Sequence, residues 1–451
     1  MPDIYKIKRG LEIPLCGVAA ASVRKVPGQT AAVCPDDFKG LVPRLLVKEG
    51  DPVLAGSPVI SDKNNPAVLL TSPVGGRVLS IVRGDKRKLL AVVIEPDGAD
   101  GAVPFPKRDP SALDGAQVRE ALLESGLWPF LVQRPFGVVA DPAVTPKAIF
   151  VSAFSTAPLA ADTEFTLADD IKYVQAAVTA LGRIAPVHLS VKGVESVFAG
   201  IRGAPLHIFE GKHPSGNVGV QISHISPILK GDTVWTLCPE GLAAIGRLFL
   251  EGRYDVRRKV AVCGPAAKDP AYIEALPGMS FSQISDFCGA QEGLRIISGD
   301  ILSGTSHPAE TGRLGFFHNQ ITIVREGTEK ELLGWMRPLR LNRFSADRTY
   351  FHWCLSPLLK GRRYSLDTNL HGGPRAFVMS DSYYSRVLPM DIYPVYLAKA
   401  CLAGDIDKME KFGIYEVLPE DLALCEFIDP SKNDIQDIIA KGIGLMLKET
   451  A

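Results

Sequence analysis

Residues 47–82, VKEGDPVLAGSPVISDKNNPAVLLTSPVGGRVLSIV, constrain this chain more than any other stretch, because they spell two related half-units joined by a hairpin. Gly50-Asp51 and Gly56 punctuate the first half; Pro73 and Gly75-Gly76 punctuate the second. Between them lie short β-branched runs at strand spacing, and each glycine stands where a tight reversal calls for positive φ. That is the pattern of a small β-sandwich.

The segment resembles a biotinyl/lipoyl-type barrel-sandwich domain. In that family a lysine at the tip of the central hairpin carries a swinging cofactor, and Asp62-Lys63 is the matching pair. The tip departs from the family, because Asn64-Asn65-Pro66 follows and lengthens the path to the Ser72-Pro73 turn. A ligase that reads hairpin geometry should reject it, which leaves Lys63 as a surface lysine on a sandwich.

Composition narrows the partners. The 451 residues carry 50 basic and 50 acidic side chains and are 46% apolar, so the chain is globular and offers no bulk charge for nucleic acid or an anionic membrane. No apolar run approaches the ~18 residues of a membrane span, and the start, MPDIYKIKRG, alternates charge with apolar residues instead of building a signal sequence. Cys16, Cys34, Cys238, Cys263, Cys288, Cys354, Cys401 and Cys425 are far apart, and there is no CxxC, CxxH or HxxxH. They read as reduced packing thiols rather than as ligands of zinc or an iron–sulfur cluster.

Along the chain, a Pro-, Gly- and charge-rich linker (96–111) follows the sandwich. Helical spacing over 112–127, a buried strand over 147–154 and a helix over 169–181 with Ile171, Val174, Val178 and Leu181 on one face come next. VHLSV (187–191) and PLHIF (205–209) read as further strands, a βαβαβ order that argues for a parallel sheet in a Rossmann-like layer. A helix over 241–252 and a strand over 257–266 are expected to extend it. ISDFCGAQEG, RIISGDILSG and LGFFHNQITIV then suggest a β-grasp-like module, and 393–413 and 432–447 have helical spacing. The fold class expected is α/β multidomain: a barrel sandwich (1–98), a Rossmann-like α/β domain (99–268), an SLBB-like β-grasp module (269–328) and a helical C-terminal region (329–451).

The chemistry-bearing motifs are mostly missing. There is no GxGxxG after a strand, no Walker A loop and no GxSxG, and no histidine sits in a pattern that nominates a Ser-His-Asp set. The basic run RLNRFSADRTY (340–350) with Arg362-Arg363 reads as a partner-docking face or a solvated loop. ESGLWPFLVQRPFG (124–137) is more specific. It is similar to the Ser-Gly-Leu that opens a glycine-rich flavin loop in the flavin-carrying subunit of respiratory complex I and in the C subunit of the Rnf complex. Here the glycines are replaced by Trp128, Pro129, Phe130, Leu131, Val132 and Gln133, bulky groups where a cofactor phosphate would lie.

That replacement, the DKNNP sandwich, ISGDILSG and ALCEFIDPSK together resemble one family across nearly the whole chain, the A subunit of the bacterial Na⁺-translocating NADH:quinone reductase. The Rnf relative clusters iron–sulfur cysteines in the last of these regions, where only Cys425 stands here. HPSGNVGVQISHISP (213–227) resembles the family's HPAG segment. Its Gly-Thr-His-Ile-His run is replaced by GVQISH, which places Gln221 and a displaced His224 in doubt for chemistry and favours a turn-shaping role for His213-Pro214 and Gly216.

The resemblance implies a peripheral subunit on the cytoplasmic face of the bacterial inner membrane, within a complex that couples NADH oxidation and quinone reduction to Na⁺ export. It implies no catalytic residue, metal or cofactor on this chain, with FAD, FMN, riboflavin and iron–sulfur centres on partner subunits. The partners implied are the other subunits, chief among them the membrane quinone-site subunit. Arg134 and Phe136, together with Asp37 and Phe38, are the residues expected nearest to ubiquinone or menaquinone, since such a site needs a ring to stack on and a hydrogen-bond donor. His213 joins them as a proton-relay alternative to its turn-shaping role. A different class of function stays open, a stand-alone lipoyl or biotinyl carrier modified at Lys63, as does a Rnf-type subunit with its own flavin and clusters.

Overall fold

A computed structural model describes the chain except residues 1, 27, 100, 290–292, 309–310, 329–330, 335–336, 339, 347–360, 367, 370–378 and 451. Cys354, part of the 340–350 basic run and part of ISDFCGAQEG lie outside the described residues.

The sandwich is built from a four-stranded sheet (Ala31–Val33, Leu89–Pro96, Gly76–Arg83, Pro52–Val53) against a three-stranded one (Pro43–Leu45, Pro58–Asp62, Leu69–Thr71). Val59, Ile60, Val92 and Ile94 are fully buried in the sandwich core, and consecutive burial shows that these strands are covered on both faces. Gly50 and Gly56 hold φ of 88° and 90°, as the turns require. Gly75 and Gly76 do not. They are glycine for space, because a Cβ on Gly76 would stand 2.0 Å from the Glu95 carbonyl oxygen and one on Gly75 2.6 Å from that of Gly101.

The second sheet has seven strands in the order Asp3–Ile7, Leu206–Gly211, Val187–Val191, Ile149–Ser152, Val234–Thr236, Val132–Arg134, Val138–Val139. The first five run parallel to their neighbours and the last two antiparallel. Numbered by their place in the chain from Ile149–Ser152 onward, the middle four stand 3-2-1-4. The chain therefore reverses its direction of winding between Ile149–Ser152 and Val234–Thr236, where doubly wound sheets hold their ligands. Helices cover the sheet. Gly115–Ser125 starts on an Asp114/Gln117 capping box, and Ile171–Leu181 buries Val174, Val178 and Leu181 as the spacing predicts.

The third sheet corrects two expectations. Arg258–Cys263, read as an extension of the α/β layer, pairs instead with Ala271–Ala275 and Gln320–Arg325, and Val260 and Val262 join a core with Ile273, Phe281 and Ile323. A strand with apolar residues on both faces fits either sheet, so its sequence left the choice to its neighbours. The N-terminus also departs from residues 1–98 as one unit. Asp3–Ile7 joins the α/β sheet and Ala20–Arg24 forms the edge of this third sheet, so the first turns of chain tie two other parts together. Leu294–Ser298 and Thr305–His307 complete the third sheet.

At the far end, Pro394–Ala403, Ile406–Phe412, Ala423–Ile428 and Ile435–Thr450 are helices. Ile435, Ile439, Ile443 and Met446 recur at helical spacing and are buried. Their core includes Ile7, Leu15, Phe209 and Val220, so the helices pack directly on the α/β sheet and the N-terminal strap. Among the described residues no helix is long and apolar enough to cross a membrane.

Candidate functional site

A cleft of about 530 Å³ opens where the four parts meet, at the carboxyl ends of Ile149–Ser152 and Val234–Thr236. It is lined by Asp37 and Phe38 from the sandwich, Phe130 and Arg134 from the segment after Leu127, and Ser152 and His213 from the loops above the sheet. Phe316, Phe317, His318 and Asp300 come from the third module, and Glu420 from the helical end. Four of the five residues singled out from the sequence, Asp37, Phe38, Arg134 and His213, thus share one cleft. Phe136 does not line it; its ring packs on Tyr415 at 6.0 Å, toward the helical core.

The bulky run from Trp128 explains the shape of one wall. Trp128, Phe130 and Leu131 are buried and fill the core. Trp128 Nε1 donates to the Ala140 carbonyl at 2.7 Å, and its ring meets Trp235 edge-on at 5.3 Å. Phe130 reaches through to Phe316 at 4.6 Å, which in turn lies 4.7 Å from Phe38 and 5.1 Å from Phe317. Offset and edge-to-face rings at these separations make a stable aromatic shelf.

The polar groups fall into two sets. Asp37 accepts the Phe316 N–H at 2.9 Å and has no ion-pair partner among the described residues. Burial pushes its carboxyl up to about 6, against the pull of that hydrogen bond and of Arg258. Burial pushes His318 down to about 4, with its Nδ1 2.7 Å from Ser298 Oγ, and holds His213 below its usual range despite Asp300 and Asp421. His213 Nδ1 lies 3.3 Å from Thr156 Oγ1, which accepts the Gly216 N–H at 2.9 Å. Both imidazoles therefore favour the neutral form at pH 7, and His318 is a poor proton acceptor there. Cys238 is pushed up to about 12 by burial and Glu240, which keeps it an inert thiol.

The second set is closed on itself. Arg134 is 1% exposed; its Nη1 donates to Asp421 Oδ2 at 3.0 Å and its Nη2 to Glu420 Oε1 at 2.9 Å. Asp421 is equally buried. Glu420 keeps 48% of its side chain accessible, yet the protein packed around it raises its carboxyl, opposed by Arg134. Gln221 is buried and donates to Ser152 Oγ at 2.8 Å and the Ser215 carbonyl at 3.2 Å, a structural tie. His224 lies outside the cleft, with Nδ1 2.8 Å from the Val220 carbonyl.

Sequence reasoning did not single out Phe130, Phe316, Phe317, Asp300, His318, Glu420 or Asp421 as site residues. The paired phenylalanines in LGFFHNQ were a local signal; the Pro-Glu-Asp before Ala423–Ile428 carried none. Lys63 stands exposed on the hairpin between Pro58–Asp62 and Leu69–Thr71. Asp62 Oδ1 accepts the N–H of Val42 at 3.0 Å and of Asn64 at 3.1 Å, which pins this tip to the neighbouring strand.

Three family descriptions match in order: the NqrA N-terminal barrel-sandwich hybrid domain over residues 5–97, the NqrA second alpha/beta domain over 113–254, and the NQRA C-terminal domain over 259–307. The A subunit of the Na⁺-translocating NADH-quinone reductase of Yersinia pseudotuberculosis is 36% identical over 97% of this chain and 98% of its own length. The chain belongs to the NqrA family, the A subunits of Na⁺-translocating NADH-quinone reductases. The corresponding A subunit of Neisseria meningitidis is 35% identical over 99% of this chain and 100% of its own length. The third match begins at 259, at the strand that pairs into the third sheet. A solved NAD⁺-reducing [NiFe]-hydrogenase covers 48% of each chain at 14% identity with a TM-score of 0.36, too loose a likeness to carry an argument.

Proposed function

We propose that this subunit is the cofactor-free cytoplasmic cap of its reductase, that it holds the membrane subunits in register, and that its central cleft receives a quinone headgroup. The observation that carries the reading is the convergence of Asp37, Phe38 and His213, from two separate parts of the chain, on one aromatic-lined cleft. In this reading electrons pass from NADH through FAD, FMN, riboflavin and iron–sulfur centres on the partner subunits, and the membrane quinone-site subunit is the nearest partner. A ubiquinone or menaquinone ring would stack on the Phe38–Phe316 shelf. Asp37, which would take up a proton as a quinone is seated, would face one carbonyl and a neutral His213 the other. Arg134, with its charge already engaged by Asp421 and Glu420, shapes the wall without touching the ring.

The test is quinone or inhibitor affinity of the assembled complex carrying Phe38→Leu or Asp37→Asn. Affinity weaker by about tenfold, roughly 1.4 kcal/mol, is expected for each, with the complex intact; unchanged affinity for both refutes the cleft as the site. Intact mass separates the carrier reading: an adduct on Lys63 would replace the scaffold reading, and the unmodified mass is expected.

A further inference from the structure

We infer that the turn ending in Asp421 is an internal ligand, whose carboxylate occupies an oxyanion site formed by Arg134 and the start of the helix Val218–Ile225 and thereby latches the helical end onto the α/β sheet.

The site is built at the point where a doubly wound sheet holds a phosphate. Helix Val218–Ile225 starts beside the carboxyl end of Ile149–Ser152, and its first free N–H groups and dipole make an anion position. Its own N-cap does not fill that position. Asn217 makes no side-chain cap, and its amide donates instead to the Glu420 carbonyl at 3.3 Å. At the second helical residue stands Gly219, where a Cβ would lie 2.3 Å from Asp421 Oδ2 and 2.6 Å from Arg134 Nη1. Only glycine lets a carboxylate and a guanidinium come so close to the helix backbone.

The carboxylate itself behaves as a bound ligand would. Its Oδ2 accepts from Arg134 Nη1 and from the Leu418 N–H, both at 3.0 Å, while Oδ1 is buried with no hydrogen-bond partner among the described residues. A buried, half-satisfied carboxylate is costly unless a positive potential faces it, and Arg134 and the helix start supply one. The neighbouring helix repeats the arrangement. Pro239–Glu251 also begins at the cleft, and Glu240 in its first turn is buried, accepting from Asn319 Nδ2 at 2.9 Å. Both helix starts at the switch point are thus neutralised by carboxylates of the chain, and neither is open to a dinucleotide phosphate. This holds whether or not a quinone enters the cleft.

Chemical rescue tests it on the full-length chain. Asp421→Ala empties the position, so its melting temperature should fall and then recover saturably with formate or inorganic phosphate, beyond chloride at matched ionic strength. Limited proteolysis between Gly413 and Leu422 should rise in the variant and be suppressed by the same anions. Wild type, and Asp421→Ala combined with Arg134→Met, should respond to formate only as they do to chloride. If Asp421→Ala does not fold, the same comparison is made on Asp421→Gly refolded with and without formate, where a formate-dependent folded yield is expected. An equal anion response in wild type and variant, or no response beyond chloride in either variant, overturns the inference.

Discussion

Asp37 lines the cleft, whereas Asp421 lies buried behind the Arg134 and Glu420 part of its wall. Asp37 takes a single backbone N–H from Phe316 and keeps no cation at contact, while Asp421 is clamped on Arg134 at 3.0 Å with its side chain fully buried. The first wall therefore holds an acid that titrates near neutrality, beside an aromatic shelf with room in front of it. The second wall satisfies its charges internally and joins two parts of the fold. An ionisable group serves binding where the protein leaves it under-compensated, and serves assembly where the protein completes its partners.

Breaking the closed wall should cost most. Asp421→Ala leaves the Arg134 guanidinium buried beside a void, and a loss of roughly 3–5 kcal/mol is expected in urea unfolding; a loss under about 1 kcal/mol would erase the distinction between the walls. Trp128→Ala is expected to cost a similar 3–5 kcal/mol and to leave the purified chain without bound flavin, because the emptied volume is a core cavity and not a phosphate cradle. Flavin absorbance in that variant would show that the bulky side chain alone excludes the cofactor.

The open wall sharpens the contrast through pH. Asp37 has a folded-state value near 6, above that of an unfolded aspartate. Between about pH 4 and 6 the folded state therefore binds more protons than the unfolded one, and this contribution to stability falls as pH rises through that window. Asp37→Asn should match wild type near pH 4 and be more stable at pH 7, by on the order of 1 kcal/mol once screening at a partly buried site that borders the cleft is allowed for. A variant less stable than wild type at pH 7 would mean that the carboxylate is compensated after all. Smallest of all, Lys88→Ala removes an exposed 2.8 Å pair with Asp36, next to Asp37, and should shift stability by no more than about 0.5 kcal/mol.

Much of the local structure was legible. Val187–Val191 was read residue for residue, and Gly404, with φ of 67°, splits the 393–413 stretch into two helices as a C-terminal glycine does. Of the cleft, Asp37, Phe38, Arg134 and His213 were picked out from the resemblance and from the chemistry that a quinone requires. Phe136 was not separable from Arg134, because two residues of one turn, with φ of 85° at Phe136, send their side chains to different cores. Glu420 and Asp421 carried no signal of their own, since an acidic pair before a helix is an ordinary start.

Whatever repeats within a few residues was determined by the sequence alone: Gly50 and Gly56 at positive φ, apolar periodicity, the capping box at Asp114, and the bulky run from Trp128. These depend on sterics and hydrogen bonds between near neighbours. Tertiary structure alone decided which sheet received Asp3–Ile7, Ala20–Arg24 and Arg258–Cys263, and that Asp421, 287 residues from Arg134, would be its partner. A strand's backbone hydrogen bonds fit more than one neighbour, and a charge finds its counter-ion only once the core between them has closed.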